Sequence, residues 1–131
     1  MIGLDTNVLL RFLLKDDELQ GERASRAIRQ AVARNEPVFV GTIVLCETMW
    51  VLASRYGYRR PQLVGLLEEL LDTSRFEIER RDLVRKALDD YRANKADFAD
   101  CLIGRTNEAH GSQHTLTFER SLKALDTFRV L

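Results

Sequence analysis

Apolar positions along this chain follow two periods in turn, and their order predicts most of the secondary structure. Ile2 to Leu4 is a short apolar run that stops at Asp5, and Val8, Leu9, Phe12 and Leu13 then recur at helical spacing, as in a strand that passes into a helix. From Asp16 to Asn35 the chain is charged, with Leu19, Ala24, Ala27, Ile28, Ala31 and Val32 on one stripe, which predicts a surface helix closed by Asn35 and Pro37. Val38 to Val40 reads as a buried strand, and Thr42 is placed to cap a helix running through Ile43, Leu45, Trp50, Val51 and Leu52. Gly57 stops that helix. Pro61 suits the start of the next, whose core face is Leu63, Leu66, Leu67, Leu70 and Leu71. Phe76 to Glu79 alternates like a strand, Asp82 to Asn94 is amphipathic, and Asp97 to His110 forms a further helix stopped by Gly111. His114 to Phe118 is strand-like, Ser121 to Leu125 is a short helix or turn, and Phe128 to Leu131 closes as an edge strand.

Strands alternating with helices over short connections imply right-handed crossovers. The fold class expected is therefore α/β, a three-layer α/β/α sandwich with a mostly parallel central sheet. A length of 131 residues suits one domain over residues 1–131. In such sheets ligands bind beyond the carboxyl ends of the strands, so polar residues at strand-to-helix junctions are the first places to look for chemistry.

Composition narrows the function. Hydrophobic residues at 45% beside charged residues at 31% exclude a disordered chain and a membrane-spanning one, and the early Asp5 interrupts any signal-peptide core, so the expected location is the cytoplasm. Cys46 and Cys101 form no C-x-x-C pair and sit in apolar runs, which predicts buried free thiols. A formal net charge of zero argues against bulk electrostatic capture of long nucleic acid, so any nucleic-acid contact must be local. Basic residues gather at Arg55, Arg59 and Arg60 around Tyr56 and Tyr58, and again at Arg80, Arg81, Arg85 and Lys86, where a solvated helix face is an equal explanation. His110 and His114 lack metal-ligand spacing and read as surface or structural residues.

The acids are more informative. Asp5 follows the first strand, Glu47 lies inside the helix after the second, Asp97 and Asp100 open the long C-terminal helix on one face, and Glu119 follows Leu116 to Phe118. Asp5 and the Asp97–Asp100 pair have a plain alternative as helix caps, and Glu119 as a first-turn acid. Glu47 is the only charge between Ile43 and Ala53, in a helix apolar enough to predict extensive burial, where an acid needs a partner or a metal. The alternating pattern predicts that these junctions share one edge of the sheet. Two carboxylates about 5 Å apart repel by roughly 3 kcal/mol at an effective dielectric near 20, so converging acids take up protons or hold a cation. Oxygen ligands without Cys or His suit Mg²⁺ or Mn²⁺, ions that hold phosphate oxygens and activate water.

D-T-N-V-L-L-R at Asp5 to Arg11, C-E-T around Glu47, A-D-F-A-D-C-L-I at Ala96 to Ile103 and T-F-E at Thr117 to Glu119 resemble, in order and spacing, the successive motifs of PIN domains, and the chain length is similar to that of VapC-type toxins. The resemblance implies a metal-dependent endoribonuclease, the toxin of a toxin-antitoxin pair, with RNA as substrate, a VapB-like antitoxin as partner and a homodimer as its assembly. It implies that Asp5, Glu47 and Asp100 are principal ligands or orienters of Mg²⁺ or Mn²⁺, with Asp97 a neighbouring acid, Thr6 and Asn7 as hydrogen-bonding supports, and Thr117 as a supporting hydroxyl. Where the family commonly has Asp after T-F, this chain has Glu119, whose extra methylene shifts the carboxylate toward a water-mediated role. The leucines from Leu63 to Leu71 with Trp50 form either core or a groove for a partner helix. Two other readings stand beside the nuclease. One is a PIN-like scaffold that binds RNA or protein without cutting; the other is an aspartate-based phosphatase or receiver domain, against which Asp5-Thr6-Asn7 lacks the D-x-D pair.

Overall fold

In the computed structural model, which describes residues 1–131, the chain runs from β1 (Ile2–Gly3) into α1 (Thr6–Leu14), then through α2 (Glu18–Ala33), β2 (Val38–Val40), α3 (Thr42–Tyr56), α4 (Arg60–Asp72) and β3 (Phe76–Ile78). It continues as α5 (Arg81–Ala93), α6 (Phe98–Ala109), β4 (Thr115–Thr117), a 3-10 turn (Arg120–Ala124) and β5 (Phe128–Val130). Two units emerge: Met1–Tyr58 with Glu68–Glu79, and Arg59–Leu67 with Arg80–Leu131.

The first unit holds a parallel sheet in the order β1-β2-β3, with Ile2 opposite Val38 and Val38 opposite Phe76. Parallel neighbours need long crossovers, which the intervening helices supply. Val38 and Val40, which share one face of the middle strand, are completely buried, and Phe39 on the other face is half-buried. Phe12 of α1 meets Phe76 edge-on at 5.8 Å between ring centres. The buried face of α2 is Gly21, Ala24, Ile28 and Ala31, narrower than its sequence stripe: Leu19, Ala27 and Val32 are exposed. At 3.6 residues per turn Ala27 and Val32 project to the flanks of the line joining positions 21, 24, 28 and 31, and Leu19 to the opposite face.

The start of α3 also differs from expectation. Its N-cap is Gly41, with no side-chain cap of its own, and Thr42 is the first helical residue. Glu79, just past β3, accepts both the Thr42 amide (2.8 Å) and the Thr42 hydroxyl (3.0 Å) on one carboxylate oxygen, so a distant acid does the capping. The helix ends as expected at Gly57, whose φ of 68° is left-handed.

In the second unit, β4 and β5 pair in parallel, Thr115 opposite Phe128 and Thr117 opposite Val130. α5 buries Leu83, Val84, Ala87, Leu88 and Tyr91, and α6 buries Phe98, Cys101, Leu102 and Gly104. Tyr91 and Phe98 meet edge-on, and Arg105 of α6 grips Asp90 of α5 through two hydrogen bonds of 2.7 and 2.8 Å. This is the bidentate geometry that gives an ion pair its strength, and it raises the already high pKa of Arg105. Parallel strands, joined through α-helices in the first unit and through the 3-10 turn in the second, match the α/β class read from the sequence. Leu63, Leu67, Leu70 and Leu71 are buried, so these leucines are core and not a partner groove. No helix is long and apolar enough to cross a membrane.

Candidate carboxylate site

The acids singled out above differ in what their local structure asks of them. Asp5 is the N-cap of α1, extended at φ −87° and ψ 174°, and its Oδ1 accepts the Val8 amide at 2.9 Å. One oxygen is thereby fixed and the other is left without a protein partner. The Thr6 hydroxyl donates to Glu47 Oε1 at 2.8 Å across 41 residues of sequence, which joins the first turn of α1 to α3. Asn7 is exposed and lies on a cavity of about 520 Å³ with Val8, Arg11, Gln20 and Arg23.

Glu47 corrects the expectation of burial: it is exposed, together with Ile43 and Trp50. These positions are spaced i, i+4, i+7 and form one outward stripe, while Leu45, Thr48, Met49 and Leu52 face the core. An apolar sequence run had concealed a helix with one open face.

In the second unit Asp97 takes the N-cap position of α6 without using its side chain as a cap, so its carboxylate is free of the structural duty that would have explained it. Asp100, one turn into the helix, is half-buried. Burial pushes its carboxyl pKa up, and the negative charges of Asp97 and then Glu119 push it further; no cation opposes them. Glu119 caps the 3-10 turn, accepting the Ser121 amide at 3.1 Å, and that hydrogen bond lowers its pKa. The Thr117 hydroxyl accepts the Glu119 amide at 3.0 Å and so fixes the backbone from which this acid projects. A first-turn acid is thus an accurate description of Glu119, whatever further role it has.

No three His, Cys, Asp or Glu side chains meet at metal-ligating spacing. The donors nevertheless have the chemistry for a hard divalent ion. Asp5, Glu47, Asp97, Asp100 and Glu119 each keep at least one oxygen without a protein hydrogen bond, none is in a salt bridge, and no thiol or imidazole belongs to the set.

Residues beyond the sequence reading also shape the region. Arg60, grouped by sequence with a basic patch, spends its guanidinium on backbone carbonyls: Nη1 donates to Tyr91 (2.8 Å) and Ala96 (3.0 Å), and Nη2 to Lys95 (3.0 Å), while the group stacks 4.0 Å above the Tyr91 ring. It therefore clamps the connection from α5 to α6 immediately before Asp97. Nothing in local sequence marks such a clamp, since its partners are carbonyls 31 to 36 residues away. Arg60→Lys, which keeps the charge but not the fork, should cost about 2–3 kcal/mol. Thermal denaturation measures this, and a melting temperature equal to wild type would remove the clamp from the account. Phe118 lies just past β4 and is 83% exposed, and Leu116 is 54% exposed, so the apolar members of this strand face outward and the threonines inward. His110 and His114 are exposed, the surface alternative of the two the sequence left open. Both cysteines are free; Cys101 is buried as expected but Cys46 is only half-buried, and burial raises the Cys46 thiol and pushes Cys101 up to about 12.

Parallel α/β units with Asp5 and Glu119 just after strands, Glu47 inside α3 and Asp97 and Asp100 opening α6 define a class, and sequence comparison gives it a name: the PIN domain family, whose sequence model matches residues 2–127, so the chain belongs to this family. Among curated proteins it is similar to the VapC ribonuclease of Aquifex aeolicus (strain VF5), 28% identical over 122 residues, which is 93% of this chain and 90% of that protein. No solved structure matches the chain.

Proposed function

We propose that this protein is a divalent-metal-dependent endoribonuclease, the toxin of a VapBC-type pair, and that residues 1–131 act as one PIN domain. The likeness to a VapC ribonuclease along nearly the full length of both chains supports the activity. The observation that carries the chemistry is Asp100, a half-buried acid made more costly to ionise by two further acids and relieved by no side-chain cation. A positive ion brought there by the substrate or from solution is favoured, and the oxygen-only donor set suits Mg²⁺ or Mn²⁺.

Asp5, Glu47, Asp97 and Asp100 are the proposed metal-holding residues, with Glu119 acting through water because one of its oxygens already serves the Ser121 amide. When bound, the ion supplies Lewis acidity and a water of lowered pKa. The Thr6 hydroxyl holds Glu47 in one orientation, Thr117 anchors the backbone of Glu119, and Asn7 offers an exposed amide next to Thr6 in sequence. Phe118, almost fully exposed next to Glu119, is available for stacking by an unpaired base, which favours single-stranded RNA as substrate. The family likeness supports a VapB-like antitoxin and a homodimer as partners. A non-cutting RNA- or protein-binding scaffold is the competing reading, and the availability of all five carboxylates disfavours it.

The test is cleavage of a mixed RNA pool by purified protein with Mg²⁺ or Mn²⁺, with a chelator, and with Asp5→Asn. Asparagine retains the oxygen that caps α1, so the fold is expected to survive while cleavage falls by on the order of 10²-fold. Products that persist unchanged in chelator would eliminate the metal-dependent mechanism.

A further inference from the structure

Most arginines with a defined contact in this chain are committed to another group: Arg11 to Asp16, Arg60 to carbonyls, Arg80 to Asp82, Arg105 to Asp90 and Glu108. The last stretch of the chain is different. Arg120, Lys123 and Arg129 line one cavity of about 480 Å³ with Phe128 and Val130, and none of the three is in a salt bridge. Asp126 is the only acid side chain from Arg120 to Leu131, and it does not line the cavity. In a protein with no net charge this is a local concentration of three cations around an apolar floor, in the size range of small-ligand sites.

Register fixes where the cavity lies. Val130 pairs with Thr117, and the Leu131 amide donates to the Thr117 carbonyl at 2.9 Å. The cavity wall therefore borders the strand end from which exposed Phe118 and then Glu119 emerge. A polynucleotide whose unpaired base stacked on Phe118 would carry its neighbouring phosphates along this edge.

We propose that Arg120, Lys123 and Arg129 form a phosphate-binding site for single-stranded RNA, holding a phosphodiester next to the one that is cut. The inference rests on the ribonuclease reading and specifies how the substrate is held. Guanidinium groups pair with phosphate oxygens through two parallel hydrogen bonds, and Lys123 adds a point charge.

Fluorescence anisotropy with a short labelled single-stranded RNA, in chelator so that nothing is cut, tests it. Replacing Arg120, Lys123 and Arg129 together by Ala should weaken binding at least about tenfold at low salt, and lower the slope of log affinity against log salt by about 2, as expected for three lost phosphate contacts. Each single replacement should produce part of the loss, so the reading survives if the triple variant folds poorly, and Arg120→Lys with Arg129→Lys should restore much of the salt slope. Inorganic phosphate should compete weakly with the RNA for the wild type, as a single phosphate offers only one of the strand's contacts; competition as strong as that of unlabelled RNA would overturn the strand assignment. Unchanged RNA affinity and salt slope in every variant, from a protein that still cuts RNA when metal is supplied, would overturn the inference alone. Cation-dependent RNA binding by a protein that never cuts would uphold it and defeat the nuclease reading. Loss of binding to a poly-glutamate peptide in the variants, with RNA binding unaltered, would overturn it in favour of an acidic protein partner.

Discussion

Asp100→Asn is expected to remove metal-dependent RNA cleavage, by on the order of 10²-fold or more, while leaving the folded protein at least as stable as wild type. The two effects have opposite signs for one reason. Burial, Asp97 and Glu119 all raise the pKa of Asp100 in the fold above its ordinary aspartate value. Below that ordinary value the carboxyl is protonated in both folded and unfolded chains and nothing is lost. As pH rises through the raised value, the folded state must accept a charge that the unfolded chain carries more easily, and stability declines. Asparagine has no charge to accept. Its melting temperature should therefore match wild type in acid and equal or exceed it near neutrality, measured with a chelator present. Calorimetry beside single-turnover cleavage separates the outcomes: wild-type turnover would remove Asp100 from the mechanism, and a lower neutral melting temperature would contradict the electrostatic argument.

The second large effect is expected at Gly104. In an exposed helix interior, replacing Gly by Ala gains up to about 1 kcal/mol. In α6 the sign reverses, because a Cβ at position 104 would overlap the Thr127 hydroxyl and approach Phe128 Cε2 to 2.8 Å. Both neighbours are buried and have little room to move. Overpacking of this kind costs about 1–3 kcal/mol, so Gly104→Ala should lower the melting temperature by roughly 4–12 °C. The Thr127 hydroxyl is itself buried without a hydrogen-bond partner. Thr127→Ala should accordingly cost little alone and should recover part of the loss in the double variant. Additive effects in that cycle would mean that the two residues do not collide.

How far the sequence could be read is clearest at particular positions. Strand and helix order followed from periodicity, and Val38 to Val40 was found as a strand with its bounds intact, because a short β-branched run between turn residues has few alternatives. The spacing of Asp97 and Asp100 placed both at the start of α6, where their mutual effect on charge is found. Exposure was harder. Glu47, Ile43 and Trp50 share an open face of α3, yet the run from Ile43 to Leu52 is so apolar on both sides that no moment distinguishes inside from outside. On α2 Ala24, Ile28 and Ala31 of the expected stripe are buried, whereas Val32 lies at its margin and Leu19 on the opposite face. Contacts between distant residues were out of reach altogether: the Thr6–Glu47 hydrogen bond, the Arg60 clamp and the cavity with Arg120 and Arg129 depend on tertiary closure. Periodicity reports which side of an element is apolar. It does not report what arrives there from elsewhere in the chain.

Glu79, standing in for a local start signal at Thr42, bears on the order in which the chain acquires structure. Its carboxylate reaches α3 only after a loop of 37 positions has closed and β3 has come alongside β2. Until then the leading turn of that helix has unsatisfied amides and frays, whereas α1 and α2 carry Asp5 and Asp17 as starters of their own. During refolding, amide-exchange protection should accordingly reach the first turns of α1 and α2 before it reaches that of α3.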